Sequence, residues 1–254
     1  MKQLTLNNEF SNVDYLNSLI DDFIIELKTD RLKNHQKILE LCHAAKFLSF
    51  FNNKYHIEKI SEEPDFIISS ANERIGLEHQ ILIESISKEK EGFCDNLFRL
   101  AEQILTEEKS TKNFLANIYI NPFFDIKINE KQKSILEIVE TVKIFAETGE
   151  LIENELIERI SIMPHSRISL CPNLGAWWQK NISPDLLIKA INKKERLIDN
   201  YVKKTNLNQW LLIVIGGLGE SSYQLDNNFN LDVESKFDKI YILEDFNYQL
   251  YEIK

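Results

Sequence analysis

Between positions 31 and 52 the apolar residues Ile38, Leu41, Cys42, Ala45, Leu48 and Phe51 recur every three or four positions, the spacing of one helical face. Residues 10–28, 91–109 and 132–148 read as further helices. Another is expected over 183–204, where Ser183 suits an N-cap, Pro184 the first helical position and Asp185 the first turn. Short apolar or alternating runs predict strands at 55–59, 65–69, 74–84, 113–121, 208–216, 237–242 and 248–253. A longer strand-like run at 157–170 is interrupted by Pro164. Ser70-Ala71-Asn72 fits a turn joining 65–69 to 74–84 as a hairpin. Helices precede, interrupt and follow the strands, so the expected class is α/β with a central mixed β-sheet flanked by helices.

Composition supports one large domain over 1–254. Hydrophobic residues make up 43% and charged residues 28%, with only 7 Gly and 5 Pro and no Pro/Gly-rich linker, repeat or low-complexity block. The longest apolar run, Trp210–Leu218, is strand-length and far short of the ~20 residues of a membrane span. The opening MKQLTLNNEF carries neither the basic nor the apolar part of a signal peptide. Cys42, Cys94 and Cys171 are few, odd in number and scattered, which speaks against a disulfide framework or a cysteine-rich zinc site. These features together predict a cytoplasmic protein with no membrane partner. The net charge of −10 lowers the expectation of nucleic-acid binding over the whole surface and equally suits a protein that covers a basic partner.

The stretch PDFIISSANERIGLEHQILI, Pro64–Ile83, concentrates the candidate chemistry. Side chains alternate along a strand, so Gly76, Glu78, Gln80 and Leu82 face one way and Leu77, His79, Ile81 and Ile83 the other. A hairpin would bring Asp65 close to Glu78. Two carboxylates held together repel unless a cation joins them, and a hard divalent ion takes oxygen ligands of this kind. A plainer account also stands. Pro-Asp opens many turns, Glu78 would suit the wet face of a sheet, and His79 beside Leu77 and Ile81 would be packed.

The stretch resembles the PD-(D/E)xK nuclease superfamily, with Pro64-Asp65, a hairpin, and then Glu78-His79-Gln80 in place of (D/E)-x-K. The order of elements around it agrees, a helix containing Glu40 coming before the strands. The resemblance covers roughly 31–120. It implies a restriction-endonuclease-like core, with the helix and strands of 183–254 completing the sheet. It implies Asp65 and Glu78 as Mg²⁺ or Mn²⁺ ligands, the middle residue offering its backbone carbonyl and Glu40 joining from the helix. One departure matters: Gln80 stands where the family has Lys, and an amide orients water without carrying charge. A Lys from elsewhere would fill the role, Lys193 first and Lys189 second, one turn apart on 183–204.

Other constellations add little. His35, His43, His56, His79 and His165 lack zinc-hydrolase spacing. Gly216–Ser222 lacks the GK[ST] ending of a phosphate loop, and no GxSxG elbow is present. Trp177 and Trp178 with Lys180 form an aromatic-basic patch that suits base stacking, Trp178 above all, or anchoring of a loop on the core. Lys189, Lys193, Lys194, Arg196, Lys203 and Lys204 make 183–204 the most positive region, the natural contact for a DNA backbone. The resemblance therefore implies a metal-dependent endonuclease acting on DNA, of the sort found in bacterial defence or mobile elements. The competing expectation is a catalytically silent acidic binding protein of immunity or antitoxin type on the same fold, with a protein partner.

Overall fold

The computed structural model describes residues 1–30, 33–108, 112–121, 128–174, 179–226, 229 and 231–254. In chain order these form β1 (Lys2–Leu4), α1 (Val13–Ser18), α2 (Asp21–Leu27), α3 (His35–Ser49), β2 (His56–Ile60), β3 (Phe66–Ser69), β4 (Arg74–Ile81) and α4 (Ser85–Glu107). There follow β5 (Phe114–Ile120), α5 (Lys131–Thr148), β6 (Ile157–Pro164), β7 (Ser169–Asn173), β8 (Lys180–Asn181), α6 (Pro184–Glu195) and α7 (Ile198–Thr205). Last come β9 (Asn208–Ile215), β10 (Tyr223–Gln224), β11 (Lys239–Glu244) and β12 (Gln249–Glu252). The described residues form two compact units: 1–83 with 179–218 and 222–254, and 84–178 with 219–221. No helix among the described residues is long and apolar enough to cross a membrane.

The first unit is built on a seven-stranded mixed sheet in the order β1-β12-β11-β9-β4-β3-β2. β2, β3 and β4 form an antiparallel meander, and β9 joins β4 in parallel, as β11 joins β9. The central strands are continuous apolar runs because helices cover both faces. Along β9, Trp210, Leu212 and Val214 pack with Leu41, Ala44, Phe47 and Leu48 of α3. The intervening Leu211, Ile213 and Ile215 pack with Leu187 and Ile191 of α6 and with Ile198 and Tyr201 of α7. Period-2 alternation thus sorts one strand into two cores.

Gly76 marks a close approach within this sheet. A Cβ there would fall 2.3 Å from Gln209 Oε1. The Gln209 amide is held by its Nε2 donating to Thr205 Oγ1 at 3.1 Å and to the Leu207 carbonyl at 2.8 Å. Gly76→Ala is therefore expected to lower stability by about 1–3 kcal/mol, as overpacking does. A urea midpoint equal to wild type would mean that Gln209 swings aside freely.

Within the second unit, β5 pairs antiparallel with β6 and parallel with β7, in the order β6-β5-β7. The strand at 113–121, expected inside the nuclease-like core, therefore belongs to this separate sheet. The run 157–170 divides at Pro164, and its second part extends along the other side of β5. The expected helix at 10–28 is two short helices, Asn12 capping the first by accepting from Tyr15 N–H at 2.8 Å. The expected helix at 183–204 breaks at Arg196-Leu197, with neither Gly nor Pro at the break; α7 then buries Ile198 and Tyr201. Ser183 caps α6 as expected, accepting from Leu186 N–H. Cys42, Cys94 and Cys171 are all free thiols.

Candidate active site

Asp65 immediately precedes β3, where the antiparallel register sets it beside β4. Its Oδ2 accepts the backbone N–H of His79 at 2.9 Å. In an antiparallel ladder a residue's N–H and C=O point the same way, so the His79 carbonyl faces the same side as Asp65. Glu78, next along β4, projects from the opposite sheet face to the His79 ring and is only 3% exposed. Its Oε1 receives Lys194 Nζ of α6 at 2.5 Å. Glu40 comes from α3, is buried, and accepts Gln36 Nε2 at 3.0 Å. Lys37, one turn before it, ties Glu40 to Asp65: its Nζ lies 2.8 Å from Glu40 Oε2 and 3.5 Å from Asp65 Oδ1.

Burial and mutual repulsion shape the protonation of this cluster. Burial, then the Glu40 charge, raises Asp65 above the ordinary carboxylate range, against the His79 N–H, Lys37 and Lys194. Burial, then Asp65, raises Glu78, against Lys194 and Tyr201. Burial pulls the Lys37 ammonium down, but Glu40, Asp65 and Glu62 outweigh it and its pKa ends above the usual value. Burial and the Glu78 charge hold the Tyr201 phenol protonated far above its usual range. Three carboxylates share two ammoniums here, which leaves an excess of negative charge when all are ionised.

Behind the cluster, two histidines link α3 to β4. His43 Nδ1 and His79 Nε2 share a hydrogen bond of 3.0 Å, their rings stacked 5.2 Å apart. His43 Nε2 lies 3.8 Å from Asp245 Oδ1, which Lys46 holds at 2.5 Å. Burial depresses both rings, His79 to about 3.

Comparison with family models, curated proteins and solved structures finds no match to this chain. The site is therefore read from its own geometry. Of the carboxylates singled out in the sequence, Asp65 lies near Glu40 on one side and near Glu78 on the other. Lys193 does not join them; its neighbour Lys194 does. Adjacent helical positions are about 100° apart around the axis, and sequence alone does not set that rotation. Lys37 was missed altogether, although its place three residues before Glu40 puts it on the same helical face. Gln80 shares the face of Glu78 but lines a groove of about 680 Å³ with Leu82 and α6 residues that include Lys189 and Lys193. Trp178 lies outside the described residues.

The residues fit a hard divalent cation in kind, offering carboxylate oxygens with excess negative charge and a backbone carbonyl. Among the described residues, no group of three or more His, Cys, Asp or Glu side chains forms a ready metal-binding set. The two ammoniums lie among the carboxylates instead.

Proposed function

We propose that this chain is a Mg²⁺- or Mn²⁺-dependent nuclease that hydrolyses phosphodiester bonds in DNA, with a restriction-endonuclease-like core. One observation carries the reading: Asp65 at the head of β3 lies within electrostatic reach of both Glu78 on β4 and Glu40 on the preceding helix. That is the order of parts that the resemblance to PD-(D/E)xK nucleases implies. Asp65, Glu78 and the His79 carbonyl would hold the ion, which supplies a water of lowered pKa and polarises the phosphate. The His79 N–H fixes the Asp65 carboxylate. Lys194 brings the positive charge that Gln80 lacks, at Glu78 and beside the reacting phosphate. Lys37 holds Glu40 and Asp65 together. A role in defence or mobile elements follows from the resemblance alone.

The test is calorimetric titration of Mg²⁺ and Mn²⁺ into wild type and Asp65→Asn, beside plasmid nicking by the same samples. Wild type is expected to bind the metal and to nick. Asp65→Asn is expected to lose nicking by at least about 100-fold, with metal binding falling alongside, as losses at groups acting in the transition state run. A second reading, the silent acidic binding protein, is favoured by the engagement of both lysines with the carboxylates. Absence of metal binding in wild type would select it.

A further inference from the structure

The groove beside α6 combines features that the carboxylate site does not use. Leu82, Leu186 and Ala190 give it an apolar floor, and Lys189, Lys193 and Arg196 give it a cationic rim. Most lysines of this acidic chain that pair do so with a carboxylate, as Lys37, Lys46, Lys143 and Lys194 show. The three rim cations have no acidic partner among the described residues, and all three are exposed. Gln80 completes the lining, and its Oε1 is buried without a hydrogen-bond partner. The Gln80 side chain is only partly buried, so its unpaired oxygen costs free energy that a ligand donor recovers once the amide turns toward the groove. A merely solvated helix face would account for the lysines but not for the apolar floor or the unpaired amide.

We propose that this groove binds unpaired nucleotides of the substrate strand, so that the substrate is single-stranded or carries a frayed or overhanging end beside the cleavage point. The proposal rests on the nuclease reading for the identity of the strand as substrate. A volume near 680 Å³ is within the range of sites that enclose an organic ligand, much larger than an ion needs. A duplex keeps its base faces in the stack and offers a groove only edges and backbone. An unpaired nucleotide lays its base face on the aliphatic floor and turns donors on its edge to Gln80, while its phosphates meet the rim. Lys189 and Lys193 are one turn apart and Arg196 follows three residues on, so the cations form a track along the helix. Asp185 also lines the groove, and its negative charge leaves the phosphate contacts to Lys189 and the cations after it along the helix. Gln80 is two residues from Glu78 on the same strand face, so the groove lies next to the carboxylate site along β4.

The test is fluorescence anisotropy of the whole protein in EDTA, with a short labelled oligodeoxythymidylate and a blunt duplex of equal length across a salt series. The single strand is expected to bind at least about tenfold more tightly than the duplex, a difference of about 1.4 kcal/mol. Lys189→Gln with Lys193→Gln is expected to weaken it and to reduce the logarithmic salt slope by about 0.7 per lysine removed. Arg196→Gln adds a third step, and thermal melting checks that these exposed replacements leave the fold intact. Equal or tighter duplex binding, or an unchanged salt slope in the variants, overturns the proposal. So does binding to vesicles of phosphatidylserine and phosphatidylcholine without binding to the oligonucleotide. Nicking by wild type in Mg²⁺, beside the EDTA binding data, separates the two readings. Groove-dependent single-strand binding without cleavage by wild type removes the nuclease and keeps the groove, and the converse removes only the groove.

Discussion

Lys194→Met is expected to destabilise the folded protein by about 3–5 kcal/mol, and adding Glu78→Gln to return most of the loss. Lys194 and Glu78 are 2.5 Å apart, with side chains 22% and 4% exposed, so solvent screens the pair little. Removing the ammonium leaves a carboxylate that already repels Asp65 in a dry setting. Protonation of Glu78 relieves part of that cost, so the loss should shrink toward acid pH. An amide at position 78 needs no counter-charge, and Tyr201 remains beside it to hydrogen-bond. Urea denaturation of wild type, the two single variants and the double variant gives the interaction energy directly. An interaction energy below about 1 kcal/mol would rank the contact with ordinary surface ion pairs and remove the account of the site's electrostatics given above. On the proposed nuclease reading, Lys194→Met is also expected to cleave less than wild type at neutral pH, where both proteins are folded, because the ammonium proposed to stand beside the phosphate is gone.

The site was readable in the sequence to the extent that its parts obey local periodicities. Strand alternation alone separates Glu78 from His79, and the two side chains lie on opposite faces as that rule requires. The hairpin was legible because Ser70 closes its turn through backbone and side-chain hydrogen bonds with Glu73. The partners were not legible. Lys194 meets Glu78 across 116 positions, and His43 meets His79 across 36. Only the packing of α3 and α6 on their faces of the sheet decides which helical residue arrives. The division into two units was also hidden. β4 passes into α4 within a few residues, with no Gly- or Pro-rich linker to announce that 84–178 forms a core of its own. Its strands carry the same apolar signature as those of the main sheet, so the pattern did not show that 113–121, which the resemblance over 31–120 included, belongs to a separate sheet.

Acidification is expected to destabilise the protein through the histidine pair, beginning near pH 6.5. His79 is depressed to about 3 and His43 is also lowered, so the unfolded chain takes up protons that the folded one refuses. For His79 stability then falls with falling pH at about 1.4 kcal/mol per pH unit between the unfolded value and about pH 3; His43 adds to the loss in the same direction. Asp65 and Glu78 act in the opposite sense. Their raised values mean the folded chain holds protons that the unfolded chain has released, so their contribution is lost as pH rises from about 4 toward the folded values. Around His43, Asp245 and Glu40 favour the charged form and Lys46 opposes it; around His79, His43, Lys194 and Lys37 all oppose it. Urea midpoints between about pH 7 and 4.5 resolve the competition, because each set of groups can be removed separately. Asp65→Asn should steepen the loss on acidification by deleting one opposing slope. His43→Leu with His79→Leu should flatten it, leaving the carboxylates to make the protein more stable in mild acid than at neutrality. A double histidine variant as acid-labile as wild type would place the sensitivity elsewhere. On the proposed metal site, Mg²⁺ would need the ionised carboxylates, so it is expected to stabilise wild type more at pH 7 than at pH 5, with the difference reduced in Asp65→Asn; no stabilisation at either pH counts against that site.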